Sequence, residues 1–132
     1  MSWLAALVLV IAQAGAPVAM AEKVDPKIAA QVPVITDKLA QWRGTWAAVQ
    51  GKLACRTVKT TGDEEIDAIG CYATLSCVKP AYPELKAIAD GKGTEPEKKA
   101  KMRAKLDTLD ICMKERRGQG IAALALKRGK GA

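Results

Sequence analysis

Apolar positions recur along the first third of the chain at alternating steps of four and three: Ile28, Val32, Ile35, Leu39, Trp42, Trp46, Val49 and Leu53. That spacing places all of them on one stripe of a helix and predicts a long amphipathic α-helix. It opens at Asp25-Pro26, with Asp as N-cap and proline at the first helical position. Pro33 is expected to kink or restart it one turn in. Thr60-Thr61-Gly62-Asp63 reads as a turn, and Asp63 caps a second helix with Glu64, Glu65 and Asp67 in its first turn. A residue before proline is pushed out of helical dihedrals, so this helix should stop near Lys79, ahead of Pro80. Pro83 opens a short third helix that ends at Asp90-Gly91. Pro96 opens a fourth, with Met102, Leu106, Leu109 and Met113 as its seam, running to about Arg117, where Gly118 and Gly120 end it. The pairs Glu97–Lys101 and Asp110–Lys114 lend it modest support at i,i+4. Residues Ile121–Leu126 form one more short turn or helix before a KRGKGA tail. No convincing strand alternation and no internal repeat appears. The expected fold is therefore all-α: a small disulfide-stapled bundle of about four helices.

The bundle is expected to follow a cleaved signal peptide. Residues 1–21 contain no charged side chain; an apolar run from Trp3 to Ala12 leads to Gly15 and Pro17, then to Ala19-Met20-Ala21. An apolar segment, a helix breaker and an A-x-A site in that order make up a secretory signal, with Ala19 and Ala21 at the cleavage position. A retained N-terminal anchor is the rival reading, although Gln13, Gly15 and Pro17 interrupt the run that a membrane span needs. The chain thus divides into a signal peptide at 1–21, a helical disulfide-bonded domain at 22–117 and a basic, glycine-containing tail at 118–132. The location this implies is periplasmic or secreted.

Cys55, Cys71, Cys77 and Cys112 all fall in the mature part. Zinc sites usually bring their ligands in as closely spaced pairs, and here the intervals are too long. A redox dithiol needs C-x-x-C, and a nucleophilic cysteine needs a base beside it. The chain has no histidine to serve as ligand or base. Two structural disulfides remain, in keeping with a small exported domain. Cys71 and Cys77 lie on one helix roughly 9 Å apart along its axis, beyond the ~7 Å that a disulfide spans. In a helical hairpin turning at Gly62, Cys55 lies level with Cys71, so the expected pairs are Cys55–Cys71 and Cys77–Cys112.

The net charge is +7, and its distribution says more than its total. Basic and acidic residues balance from Glu22 to Glu95, while from Pro96 onward eleven basic residues face four acidic ones. The cationic end suits an anionic surface such as lipid, lipopolysaccharide or nucleic acid. The candidate contacts are Lys114, Arg116, Arg117, Lys127, Arg128 and Lys130. On a helical wheel the cations surround the apolar seam, so a solvated face is the competing reading. The acidic run Asp63–Asp67 sits where negative charge stabilises a helix start, and Trp42 and Trp46 follow the apolar seam into the core. With no phosphate loop, catalytic motif or cofactor fingerprint, neither an enzyme nor a cofactor is expected. The expected function is non-catalytic: a small exported interaction or structural protein with an unidentified protein or envelope partner, and as the alternative a polyanion-binding module.

Overall fold

The computed structural model describes residues 25–131. The expected signal peptide, with Ala19 and Ala21, lies outside them. Within them the order is α1 (Pro26–Leu39), β1 (Arg43–Val49), β2 (Lys52–Lys59), α2 (Glu64–Asp90), α3 (Glu95–Asp107) and α4 (Asp110–Gly131). Four helices and two disulfides fit the expectation, but all-α requires correction because a two-stranded antiparallel sheet stands between α1 and α2.

The long first helix is therefore two different structures. Asp25 caps α1 by accepting the Lys27 N–H at 2.8 Å, and the helix passes through Pro33 to Leu39. The chain then reverses as a hairpin. Gln50 and Gly51 hold φ of 51° and 78°, both in the left-handed region, as a two-residue turn between twisted strands requires. Register pairs Trp46 with Cys55, Ala48 with Leu53 and Gly44 with Thr57. Leu53, Cys55 and Thr57 are half-buried and alternate with exposed Lys52, Ala54 and Arg56, which is strand periodicity. Trp42 stays a core residue, 5% exposed, and its indole N–H donates to the Thr57 hydroxyl at 2.9 Å. The Cys55–Cys71 link fastens the hairpin's inner face to α2, and the Trp42–Thr57 bond holds that face against the core.

α2 is the axis of the domain. Asp63 caps it by accepting the Glu65 and Ile66 N–H groups, and it runs through both Pro80 and Pro83 rather than stopping at Lys79. Each interior proline removes a hydrogen bond and costs about 3 kcal/mol. Both prolines are exposed, while Cys77, Val78, Ala81 and Leu85 around them are buried. Burial of a large aliphatic side chain contributes about 1.5–3 kcal/mol, so the packed side outweighs the bonds lost on the wet side.

Two apolar clusters lie along α2. Its first half packs Ile66 and Ile69 against Ile35, Leu39, Trp42, Leu124 and Ala125. Its second half packs Val78, Ala81 and Leu85 against Leu109, with Trp46, Leu53, Met102, Leu106 and Met113 at the margin. The expected single helix from Pro96 to Arg117 is broken at Thr108, whose hydroxyl donates to the Lys105 carbonyl at 2.6 Å as Leu109 turns inward. Thr94 and Glu97 form a reciprocal capping box at the start of α3, which buries no residue of its own.

The helix end expected at Gly118 and Gly120 requires correction. Gly118 and Gly120 lie inside α4, which continues to Gly131. A Cβ on Gly120 would lie 2.7 Å from Ile69 Cγ2, and one on Gly129 would lie 2.8 Å from Ile28 Cα. These glycines let α4 approach α2 and α1 closely, and the burial gained there exceeds the ~1 kcal/mol that glycine costs inside a helix.

Candidate functional site

The cysteines occupy the expected pairs. Cys55 joins Cys71 with Cα atoms 5.5 Å apart, and Cys77 joins Cys112 at 5.9 Å. Among the described residues no cysteine is free, and no group of three or more His, Cys, Asp or Glu side chains could hold a metal.

The candidate cations separate into two sets. Lys127 and Arg128 pair with the start of α2, Arg128 half-buried and Lys127 at the surface. Arg128 Nη2 donates to Asp63 Oδ2 at 2.8 Å, Asp63 Oδ1 at 2.9 Å and Glu65 Oε1 at 3.2 Å, while Lys127 pairs with Glu65. Arg117 is half-buried, with its Nε enclosed. Lys114 and Lys130 are exposed, and half-buried Arg116 donates to Gln119 Oε1 at 3.2 Å. On α3, Lys99, Lys101 and Arg103 are exposed, while Lys105 reaches Glu84 at 2.9 Å. The surface cations of the C-terminal third are therefore centred on α3 and the first half of α4. The sequence showed where the charge lay along the chain but not which charges the fold would neutralise.

The acidic run is part of the fold. Burial pushes the Asp63 carboxyl up, but the Arg128 hydrogen bond, the Ile66 N–H, the guanidinium charge and the Glu65 N–H together hold it below its ordinary 3.8. Glu65 is lowered by Lys127 and then Arg128. Asp67, pushed up by burial, is brought below its ordinary value by the Thr60 hydroxyl, the Thr61 N–H and the Thr61 hydroxyl. Since all three are depressed, an unfolded chain takes up protons before the folded one as pH falls. Their stabilisation is complete above about pH 5 and is lost as pH drops through 4.5 and below. The urea midpoint is expected to fall steadily from pH 5 to pH 3. Arg128→Met should cost about 1 kcal/mol at neutral pH, the scale of a partly exposed ion pair, and should flatten that slope. An unchanged slope in the variant would show that the clasp does not set the acid response.

A cleft of about 320 Å³ opens between β1, α2 and the α3–α4 junction, with Trp46, Thr74, Leu106, Asp110, Met113 and Arg117 among its lining residues. Trp42 lies in the core and Trp46 at its margin, neither on an exposed stacking platform; Trp46 meets Tyr82 edge-on at 6.4 Å. Sequence reasoning missed one further surface. The hairpin's outward side carries Lys52, Arg56 and Lys59, all exposed. The available signal was the absence of any acidic residue between Asp37 and Asp63, which a charge balance taken over residues 22–95 averages away.

Among the described residues no helix is long and apolar enough to cross a membrane. No protein-family model, curated protein or solved structure matches the chain.

Proposed function

We propose that this is a small exported, non-catalytic binding protein of the cell envelope or secretome, acting through surface cations on an anionic partner. The observation that carries this reading is the set Lys99, Lys101, Arg103 and Lys114. All four are exposed, and none is ion-paired among the described residues. Asp63 and Glu65 are engaged instead by Lys127 and Arg128. Export is supported by the Ala19-x-Ala21 site in the sequence and by two disulfides, which persist in oxidising compartments. A non-catalytic role is supported by the use of the Asp63, Glu65 and Asp67 carboxylates as caps and clasps, which commits them to stability.

Polyanion contact weakens steeply as salt rises because the counterions released on binding then gain less entropy. The oxidised protein is expected to bind immobilised heparin at low salt and to elute as salt increases. Replacing Lys99, Lys101, Arg103 and Lys114 together by Gln should advance that elution while leaving the unfolding midpoint in place. Passage of the parent protein through heparin and through anionic vesicles at low salt would overturn the reading.

A further inference from the structure

From Lys38 to Gly62 the chain contains Lys38, Arg43, Lys52, Arg56 and Lys59 and no acidic residue. The hairpin fills most of that stretch and divides it into two faces. Its inner face, with Trp46, Leu53, Cys55 and Thr57, is half-buried. Its outer face consists of Arg43, Thr45, Ala47 and Val49 on β1 and Lys52, Ala54, Arg56 and Val58 on β2, joined by Lys59, which the bulge sets opposite Arg43; all are exposed. The opposed pairs are Thr45 with Arg56, Ala47 with Ala54 and Val49 with Lys52. The two alanines form the floor of a shallow depression of about 350 Å³, to which Thr45, Val49 and Arg56 also contribute. Val49 is 58% exposed at the turn end and Val58 65% exposed at the bulged end, among the most exposed large apolar side chains described.

The charges on this face lack counterparts. Arg43 stands opposite Lys59 in register, and like charges directly across a ladder are destabilising. Arg43 is drawn off, its Nη1 donating to the Trp42 carbonyl at 2.9 Å and the Ala40 carbonyl at 3.2 Å. Lys52, Arg56 and Lys59 make no ion pair among the described residues. A face that combines exposed valines with unpaired cations complements a partner that is anionic outside and apolar just beneath.

We propose that the outer face of the hairpin docks onto an anionic lipid surface, with Lys52, Arg56 and Lys59 on headgroup phosphates and Val49 and Val58 entering the headgroup–acyl boundary. The proposal rests on the anionic partner of the reading above and places the contact on a different element. Lipid is favoured over nucleic acid by two features. The outer face has no aromatic side chain on which a base could stack. It also presents two valines that a phosphate backbone would leave in water and a bilayer boundary would bury. The face of α3 that carries Lys99 and Arg103 also holds Asp107, so its cations stand beside a carboxylate, whereas the outer face of the hairpin has no acidic residue.

The test compares co-sedimentation of the oxidised full chain with phosphatidylglycerol–phosphatidylcholine vesicles and with phosphatidylcholine alone, at low and moderate salt. Each cation near an anionic membrane contributes about 1 kcal/mol, so K52Q/R56Q/K59Q should weaken binding to the anionic vesicles on the order of a hundredfold. V49S/V58S should weaken it roughly tenfold at unchanged charge. K99Q/K101Q/R103Q should cost tenfold at most. All substituted positions are exposed, and unchanged unfolding midpoints check that the fold is kept. Parent-like binding by both hairpin variants, with loss in the α3 variant, would overturn the hairpin site and leave the anionic-partner reading standing. Loss in K52Q/R56Q/K59Q alone, with duplex DNA bound as tightly as vesicles, would replace the lipid by a nucleic acid. Absence of binding to any anionic probe at low salt would remove both.

Discussion

Cutting the chain after Arg117 is expected to leave a protein without a native-like cooperative unfolding transition. The removed segment is the second half of α4. It carries Leu124, 7% exposed, and Ala125, fully buried, into the cluster formed by Ile35, Leu39, Trp42, Ile66 and Ile69. It also takes away Ile121 at the margin of that cluster, the Gly129 approach to Ile28 and the Arg128–Asp63 clasp. Substitution of Leu124 by Ala alone should cost about 2–5 kcal/mol, by lost transfer energy and the cavity left behind. Domains of this size are stable by only about 5–15 kcal/mol in total, so losing the whole segment leaves little or no net stability. Urea unfolding followed by circular dichroism gives the answer: a graded loss of signal is expected from the truncated chain and a lowered but cooperative midpoint from Leu124→Ala. A truncated protein that unfolds at the parent midpoint would mean that the docking of α4 contributes nothing.

The second large effect concerns the disulfides, which are not of equal weight. Cys55–Cys71 closes a separation of 16 residues and Cys77–Cys112 one of 35. Loop-closure entropy gives about 3 kcal/mol for the shorter and about 4 kcal/mol for the longer. The longer link also does something the core does less well. It ties α4 to α2 across α3, a helix that buries no residue and adds only Met102 and Leu106 to the margin of the second cluster. Replacing Cys77 and Cys112 by Ala should therefore lower the urea midpoint more than replacing Cys55 and Cys71, and should speed amide hydrogen exchange in α3 and the first turns of α4 while α1 changes least. The reverse order of midpoints would show that the hairpin, not the α3–α4 junction, is the part that most needs covalent support.

Much of the fold can be read from local chemistry. The Asp25-Pro26 start, the Asp63 cap with its acidic first turn and the end of a helix at Asp90 depend on groups a few residues apart, and they stand in the structure as read. The exclusion of a Cys71–Cys77 pair also survives, because both lie on α2 and helix rise alone separates them. The partners of those two cysteines were reached through a helical arm that is in fact β2, so the pairing was legible although the element that delivers Cys55 was not. The hairpin cations went unread for the same reason. Lys52 and Arg56 share a face only at a strand's period of two, and Lys59 joins them only through the bulge, whereas the seam of Trp42, Trp46, Val49 and Leu53 matched a helix.

What tertiary structure decided was every point at which a local preference met a packing surface. Pro33 argues for a kink or restart, Pro80 for a helix end, Pro83 for a new helix, and Gly118 and Gly120 for a stop, yet α1, α2 and α4 run through them. The reading of 43–59 as helix met the opposite fate, because a hairpin sets Leu53, Cys55 and Thr57 against α2 and lets Trp42 bond Thr57. Sequence by itself determined the Asp25 and Asp63 caps, the exclusion of a Cys71–Cys77 bridge and the excess of positive charge, each of which depends on residue type and short spacing. Which cations remain at the surface, and where helices end, depended on contacts between residues far apart in the chain, such as Arg128 with Asp63 and Gly129 with Ile28. A local preference is worth about 1–3 kcal/mol, and several buried side chains acting together exceed it.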